Sequence, residues 1–109
     1  MKIGIDIVEV ERIEKLKNID KIFFKSEIEY AEKSVLKYEH LAGFYCAKEA
    51  VIKALEGGSV QEVEICHKQS GAPYIVLHGK TKQLSNNNEI QISISHIKKL
   101  ATAICTILS

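Results

Sequence analysis

Apolar residues recur along this chain in two spacings, and the alternation between them outlines its elements. Ile3, Ile5 and Ile7 alternate with Gly4, Asp6 and Val8, a period of two that predicts a strand with one strongly apolar face. From Val10 to Leu16 the spacing turns helical, with Ile13 and Leu16 inward and Glu11, Arg12, Glu14 and Lys15 outward. Ser26 followed by Glu29 has the form of a capping box and predicts a helix through Ile28 and Ala31 toward Leu36. Leu41 to Leu55 carries the longest helical pattern. At ~100° per residue Phe44, Ala47, Val51 and Leu55 share one face, which marks the core. Gly57-Gly58 is expected to stop this helix.

The second half turns to strands. Val63 to Cys66 and Tyr74 to Leu77 flank the turn residues Ser70-Gly71-Ala72-Pro73, which predicts a hairpin. Thr81 to Leu84 is a short helix and Asn86-Asn87-Asn88 a loop. Ile90, Ile92 and Ile94 alternate with Gln91, Ser93 and Ser95. A tight connection over His96 to Lys99 leads to a last strand, Ala101 to Leu108. The order β-α-α-α-β-β-α-β-β lacks regular βαβ alternation. The expectation is therefore α+β, with a mainly antiparallel sheet packed on a long helix.

Composition narrows the function classes. A chain of 109 residues fits one domain, residues 1–109, with a modest core. Its formal net charge of +1 supplies no field for nonspecific nucleic-acid binding. No apolar run approaches the ~18 residues of a membrane span, and Met-Lys-Ile-Gly-Ile-Asp lacks the features of a signal peptide. Cys46, Cys66 and Cys105 lie in apolar contexts without metal-finger spacing. They read as reduced core thiols of a cytoplasmic protein.

Several polar positions then need an account. Asp6 interrupts an apolar strand, where a carboxylate is costly unless paired, hydrogen-bonded or metal-bound. Either Gly4, Asp6 and Val8 form a solvent face, or Asp6 is a metal or phosphate-side ligand. Glu49 and Lys53 fall together opposite the core stripe of the long helix. They make either a solvated pair or part of a site. Lys48 projects close to the apolar stripe, where its methylenes can cover the core rim while the ammonium reaches water. His96 ends a strand, where it is either structural or fixed at a cleft. His67 and His78 read as surface residues, and His40 carries no signal. Asp6 with Glu49 would suit magnesium, which keeps several waters and takes one or two carboxylates plus phosphate oxygens. Lys53 would then stand beside the same phosphates.

Three blocks carry a resemblance. They are Ile3-Gly4-Ile5-Asp6-Ile7-Val8-Glu9-Val10-Glu11-Arg12-Ile13, Ala47-Lys48-Glu49-Ala50 with Lys53-Ala54-Leu55, and Ile92-Ser93-Ile94-Ser95-His96. In this order they resemble the holo-(acyl-carrier-protein) synthases, the small bacterial 4′-phosphopantetheinyl transferases. The resemblance covers essentially the whole chain. It implies transfer of the phosphopantetheine arm of coenzyme A to a serine of apo acyl carrier protein, releasing adenosine 3′,5′-bisphosphate, in support of fatty acid biosynthesis. It implies Asp6 and Glu49 as magnesium ligands, Lys53 beside the phosphates and His96 on the side of the nucleotide's 3′-phosphate. Lys48 matches a lysine of the same helix motif, and Gly57, Gly58 and Pro73 fall where the nucleotide is bound. Arg12 matches a basic residue that meets the acidic carrier. The family's trimers, with active sites between protomers, imply a homotrimer. The catalytic base is left open among Glu49, Asp6 and a metal-bound water.

The chain departs from the family at three places. Glu56-Gly57-Gly58 stands where a Gly-Thr-Gly turn is usual, Phe44 where an arginine is frequent, and Ser70-Gly71-Ala72-Pro73 where an Asn-Gly-Lys-Pro-like turn is frequent. These losses bear on coenzyme A affinity more than on reaction type. Two other readings remain: a non-catalytic module of the same fold that binds coenzyme A or a carrier protein, and a small assembly subunit whose charges all lie on the surface.

Overall fold

One helix organises the chain. In the computed structural model, which describes all residues from Met1 to Ser109, α3 spans Lys37–Leu55, and the three-stranded sheet, the two preceding helices and the first strand of the hairpin pack on it. Before it come strand β1 (Lys2–Glu9), helix α1 (Val10–Glu14), a 3-10 turn (Ile19–Lys21) and helix α2 (Lys25–Glu32). After it come a second 3-10 turn (Val60–Glu62), β2 (Val63–His67), β3 (Pro73–Leu77), α4 (Gly79–Ser85), β4 (Glu89–His96) and β5 (Leu100–Leu108). The expected α+β order is present. All strand pairs are antiparallel, in a three-stranded sheet ordered β1-β5-β4 and a β2-β3 hairpin.

The helix is more enclosed than one apolar stripe requires. Phe44, Ala47, Val51 and Leu55 are buried as expected, but so are Ala42, Cys46, Lys48, Ala50 and Ala54. From Leu41 to Leu55 only Tyr45, Glu49, Ile52 and Lys53 keep surface. Small side chains explain this, because they admit β1 and β5 on a second face of the helix. A Cβ added at Gly4 would lie 2.0 Å from the carbonyl oxygen of Ala50 and 2.8 Å from the amide nitrogen of Ala54. Only glycine permits so close an approach of strand to helix.

That approach turns β1 over. Its isoleucines, the apolar face by pattern, point away from α3: Ile3, Ile5 and Ile7 are 62%, 61% and 63% exposed. Gly4, Asp6 and Val8 face the helix instead, so Asp6 is not on a solvent face. On β5 the inward residues are Ala101, Ala103, Cys105 and Ile107, and Leu100, Ile104 and Leu108 lie on the outer side with the isoleucines. The outer face of the β1-β5 pair is therefore apolar and open.

Two helix ends differ from the expected signals. Glu27, not Glu29, reaches back across the start of α2, accepting from the Phe24 amide at 2.7 Å, while Ser26 Oγ donates to Glu64. At the end of α3 the left-handed residue is Glu56, with φ 60, and the Gly57 amide donates to the Ile52 carbonyl. Cys46 and Cys105 are buried and Cys66 half-buried, all as free thiols. Burial raises Cys105 to about 11, and burial with the nearby Asp6 carboxylate raises Cys46 to about 12, so both are inert thiols. No helix is long and apolar enough to cross a membrane.

Candidate active site

The close packing of Gly4 on α3 decides where Asp6 goes. Two residues along, on the same face of β1, its carboxylate meets the C-terminal half of the helix. Lys53 Nζ donates to Asp6 Oδ1 at 3.2 Å and to the Ile5 carbonyl at 3.0 Å. The lysine side chain is 55% exposed and the aspartate 18%, so the pair opens to solvent at its lysine end. Lys53 thus pairs across to β1, and no ion pair joins it to Glu49 along the helix.

Glu49 lies one turn before Lys53, half-buried. Its surroundings are read from its neighbour Tyr45, whose hydroxyl is held above the usual tyrosine value. Burial is the largest cause, the Glu49 carboxylate adds to it, Arg12 pulls the other way, and Asp6 pushes upward again. The charges of Glu49, Arg12 and Asp6 thus all reach the Tyr45 hydroxyl. Sequence pattern did not single out Tyr45, although its i,i+4 spacing from Glu49 was available. Asp6 and Glu49, with Lys53 beside Asp6, are the carboxylates here that could hold a hard cation, provided waters and phosphate oxygens complete the shell. The protein offers no cluster of three or more side-chain ligands, which disfavours zinc or any metal held by protein alone.

Lys48 does not belong to this corner, and its placement corrects the expectation of a nucleotide contact. Its side chain is 0% exposed and paired with Glu27 Oε2 at 2.8 Å, also fully enclosed. The ammonium also donates to the Val63 carbonyl, and the rings of Phe23 and Phe24 lie 5.8 and 5.0 Å from it. Glu27 further accepts from the amides of Phe24 and Ile65, which ties α2, α3 and β2 together. The segment Lys25–Glu32 folds over the lysine and closes the route to water that a snorkelling side chain needs.

His96 stands at the other end of α3. Its Nδ1–H donates to Glu39 Oε1 at 2.8 Å, which fixes the ring and leaves Nε2 free. It borders a cleft with His40, Phe44, His67, Tyr30 and Pro73. His67 is half-buried and stacks on Tyr30 with ring centroids 3.8 Å apart, so it is not the surface residue its sequence context suggested. His40 meets His96 edge-on at 5.7 Å. Burial holds both His40 and His67 below the usual histidine value, His96 adding to the effect on His40 and His40 to that on His67. His78, by contrast, is exposed and paired with Glu64, as a surface residue. Gly58 has a fold-level reason to be glycine: φ is 104, and a Cβ would lie 2.9 Å from Thr81 Oγ1. Gly57 has no such close neighbour.

Residues 2–105 match the family model described as the 4′-phosphopantetheinyl transferase superfamily. The chain belongs to this family. Among curated relatives it is 41% identical to the holo-[acyl-carrier-protein] synthase of a Thermoanaerobacter species over 111 residues, covering 91% of this chain and 80% of that one. It is 40% identical to the Fusobacterium nucleatum synthase of the same name, covering 97% of each. The fold matches the crystal structure of Helicobacter pylori holo-[acyl-carrier-protein] synthase in complex with coenzyme A. The TM-score is 0.83 at 32% identity, over 97% of this chain and 99% of that one. The 4′-phosphopantetheinyl transferase fold is thus shared along the whole length.

Proposed function

We propose that this chain transfers the 4′-phosphopantetheine group of coenzyme A to a serine of apo acyl carrier protein. One observation carries the reading: Lys53 Nζ sits 3.2 Å from Asp6 Oδ1 on an open surface, one helical turn from Glu49. Such a corner suits a pyrophosphate. The serine oxygen attacks the phosphorus that bears the pantetheine, the phosphorus–oxygen bond to the second phosphate breaks, and adenosine 3′,5′-bisphosphate leaves. Lys53 is placed to stabilise charge that grows on the departing phosphate. Asp6 holds Lys53 in position, and Glu49 or Asp6 can accept the serine proton. The donor set fits magnesium, with Asp6 and Glu49 as its protein ligands. That ion would supply charge neutralisation at the pyrophosphate.

The remaining parts follow the same reading. Pro73 and His96 border the cleft read as the nucleotide end, at the N-terminal end of α3. Gly57 and Gly58 follow its C-terminal end and would leave backbone open to phosphate there. Arg12, exposed on α1, offers a forked cation to an acidic carrier. The open isoleucines of β1, with Ile104 and Leu100 of β5, favour burial against other copies of the chain, which the resemblance sets at three. The free thiols favour a reducing compartment, the cytoplasm.

The test is the intact mass of an apo acyl carrier protein after incubation with this protein, coenzyme A and magnesium. A gain of one phosphopantetheine is the expected result. An unmodified carrier, with coenzyme A still bound by the protein, would favour the non-catalytic module instead.

A further inference from the structure

Three of the chain's four histidines gather at the N-terminal end of α3, and no lysine or arginine lines the cleft they share. The cleft measures about 160 Å³, room for a ring system rather than for a whole dinucleotide. Its walls are the ring of Phe44, the stacked pair Tyr30–His67 and the edge-on pair His40–His96. Aromatic walls suit a planar base. A phosphomonoester needs something more, because it carries about −1.5 to −2 charge near neutrality. Among the residues that line the cleft only the imidazoles can supply the opposing charge.

We propose that His40 and His67 determine specificity for the phosphomonoester of the nucleotide by taking up a proton when it enters the cleft, so that its affinity falls as pH rises. This rests on the coenzyme A reading above and deepens it. Burial holds both imidazoles below the usual histidine value; His96 lowers His40 further against the pull of Glu39, and His40 lowers His67, which favours the neutral form of both near pH 7. A dianion beside them favours the charged form and raises the value in the complex. The sign follows: protons bind with the ligand, and affinity is lost as pH climbs from the free value through the bound one. His96 is held through Nδ1 by Glu39, the one carboxylate against the cluster, which fixes its ring. The other titratable group facing the imidazoles is the Tyr30 hydroxyl from α2, and the β2-β3 turn presents only Gly71 and Pro73. Phe44, standing where the family frequently has an arginine, removes the permanent cation that would make such a switch unnecessary.

Calorimetric titration of the whole protein with coenzyme A and with 3′-dephospho-coenzyme A tests this, in two buffers of different ionisation heat, between about pH 6.5 and 8.5. The phosphate is itself mostly dianionic over that range. Coenzyme A should bind with uptake of roughly half to one proton and weaken about three- to tenfold across the window. The dephospho ligand should bind without uptake and with a flat profile. The double variant His40→Gln, His67→Gln, checked for an unchanged melting temperature, should lose the uptake. Coenzyme A binding with no proton exchange, or equal slopes for both ligands, overturns the inference and leaves the transferase reading standing. Failure of coenzyme A to bind at any pH removes that reading and the inference with it.

Discussion

α3 carries two lysines five residues apart, each paired with a carboxylate from another element, and they live in opposite surroundings. Lys48 and Glu27 are sealed from water, and every charged atom between them has a partner. Lys53 and Asp6 meet at the surface, 3.2 Å apart, with the ammonium free on its outer side. Burial pushes Lys48 below the usual lysine value although Glu27 attracts its charge, so desolvation outweighs the pair's attraction there. A pair that is closed and satisfied can only hold the fold. A pair that keeps unfilled valence toward solvent can bind something else. The identity of the residues does not separate the two cases, and enclosure does.

The largest expected effect breaks the closed pair. Lys48→Ala strands the Glu27 carboxylate in the core and should cost about 3–5 kcal/mol of stability, read by urea unfolding. Adding Glu27→Gln to Lys48→Met should recover part of that loss, because the buried charge goes while an acceptor for the Phe24 or Ile65 amide stays. A cost below about 1 kcal/mol for Lys48→Ala would mean that the lysine reaches water. The open corner should respond in the opposite sense. Glu49→Gln keeps shape and removes charge, so turnover should fall about a hundredfold with the melting temperature unmoved. Wild-type turnover would remove Glu49 from the reacting centre. The smallest effect is expected at the rim. Arg12→Glu should raise the KM for carrier protein about tenfold while that for coenzyme A stays nearly constant, and added salt should weaken the wild type more than the variant. An equal loss for both substrates would place Arg12 in the fold or the nucleotide site.

Much of this was legible in the residues. The period-two and helical spacings gave the element order, and Phe44, Ala47, Val51 and Leu55 marked the core face of α3 correctly. What escaped was set by packing at a distance. One reading of β1 put Gly4, Asp6 and Val8 on a solvent face, but Gly4 lets α3 pack against that face and leaves the isoleucines outside. Lys48 read as a rim lysine because nothing local reveals that α2 folds over it with Glu27. His40 and His67 carried no signal because their partners come from α2 and β4, far along the chain. Periodicity reports the face a residue occupies and stays silent on what covers that face.

The open pair bears most of the account, and Lys53→Ala tests it most directly. The measurement is the rate at which apo acyl carrier protein gains phosphopantetheine mass, taken on a variant whose melting temperature has been checked. A Lys53 that faces the pyrophosphate predicts a rate lowered about a hundredfold or more in a protein as stable as the wild type to within a few tenths of a kcal/mol. An unchanged rate would make Lys53 and Asp6 an ordinary surface ion pair, and the reacting centre would have to be sought elsewhere.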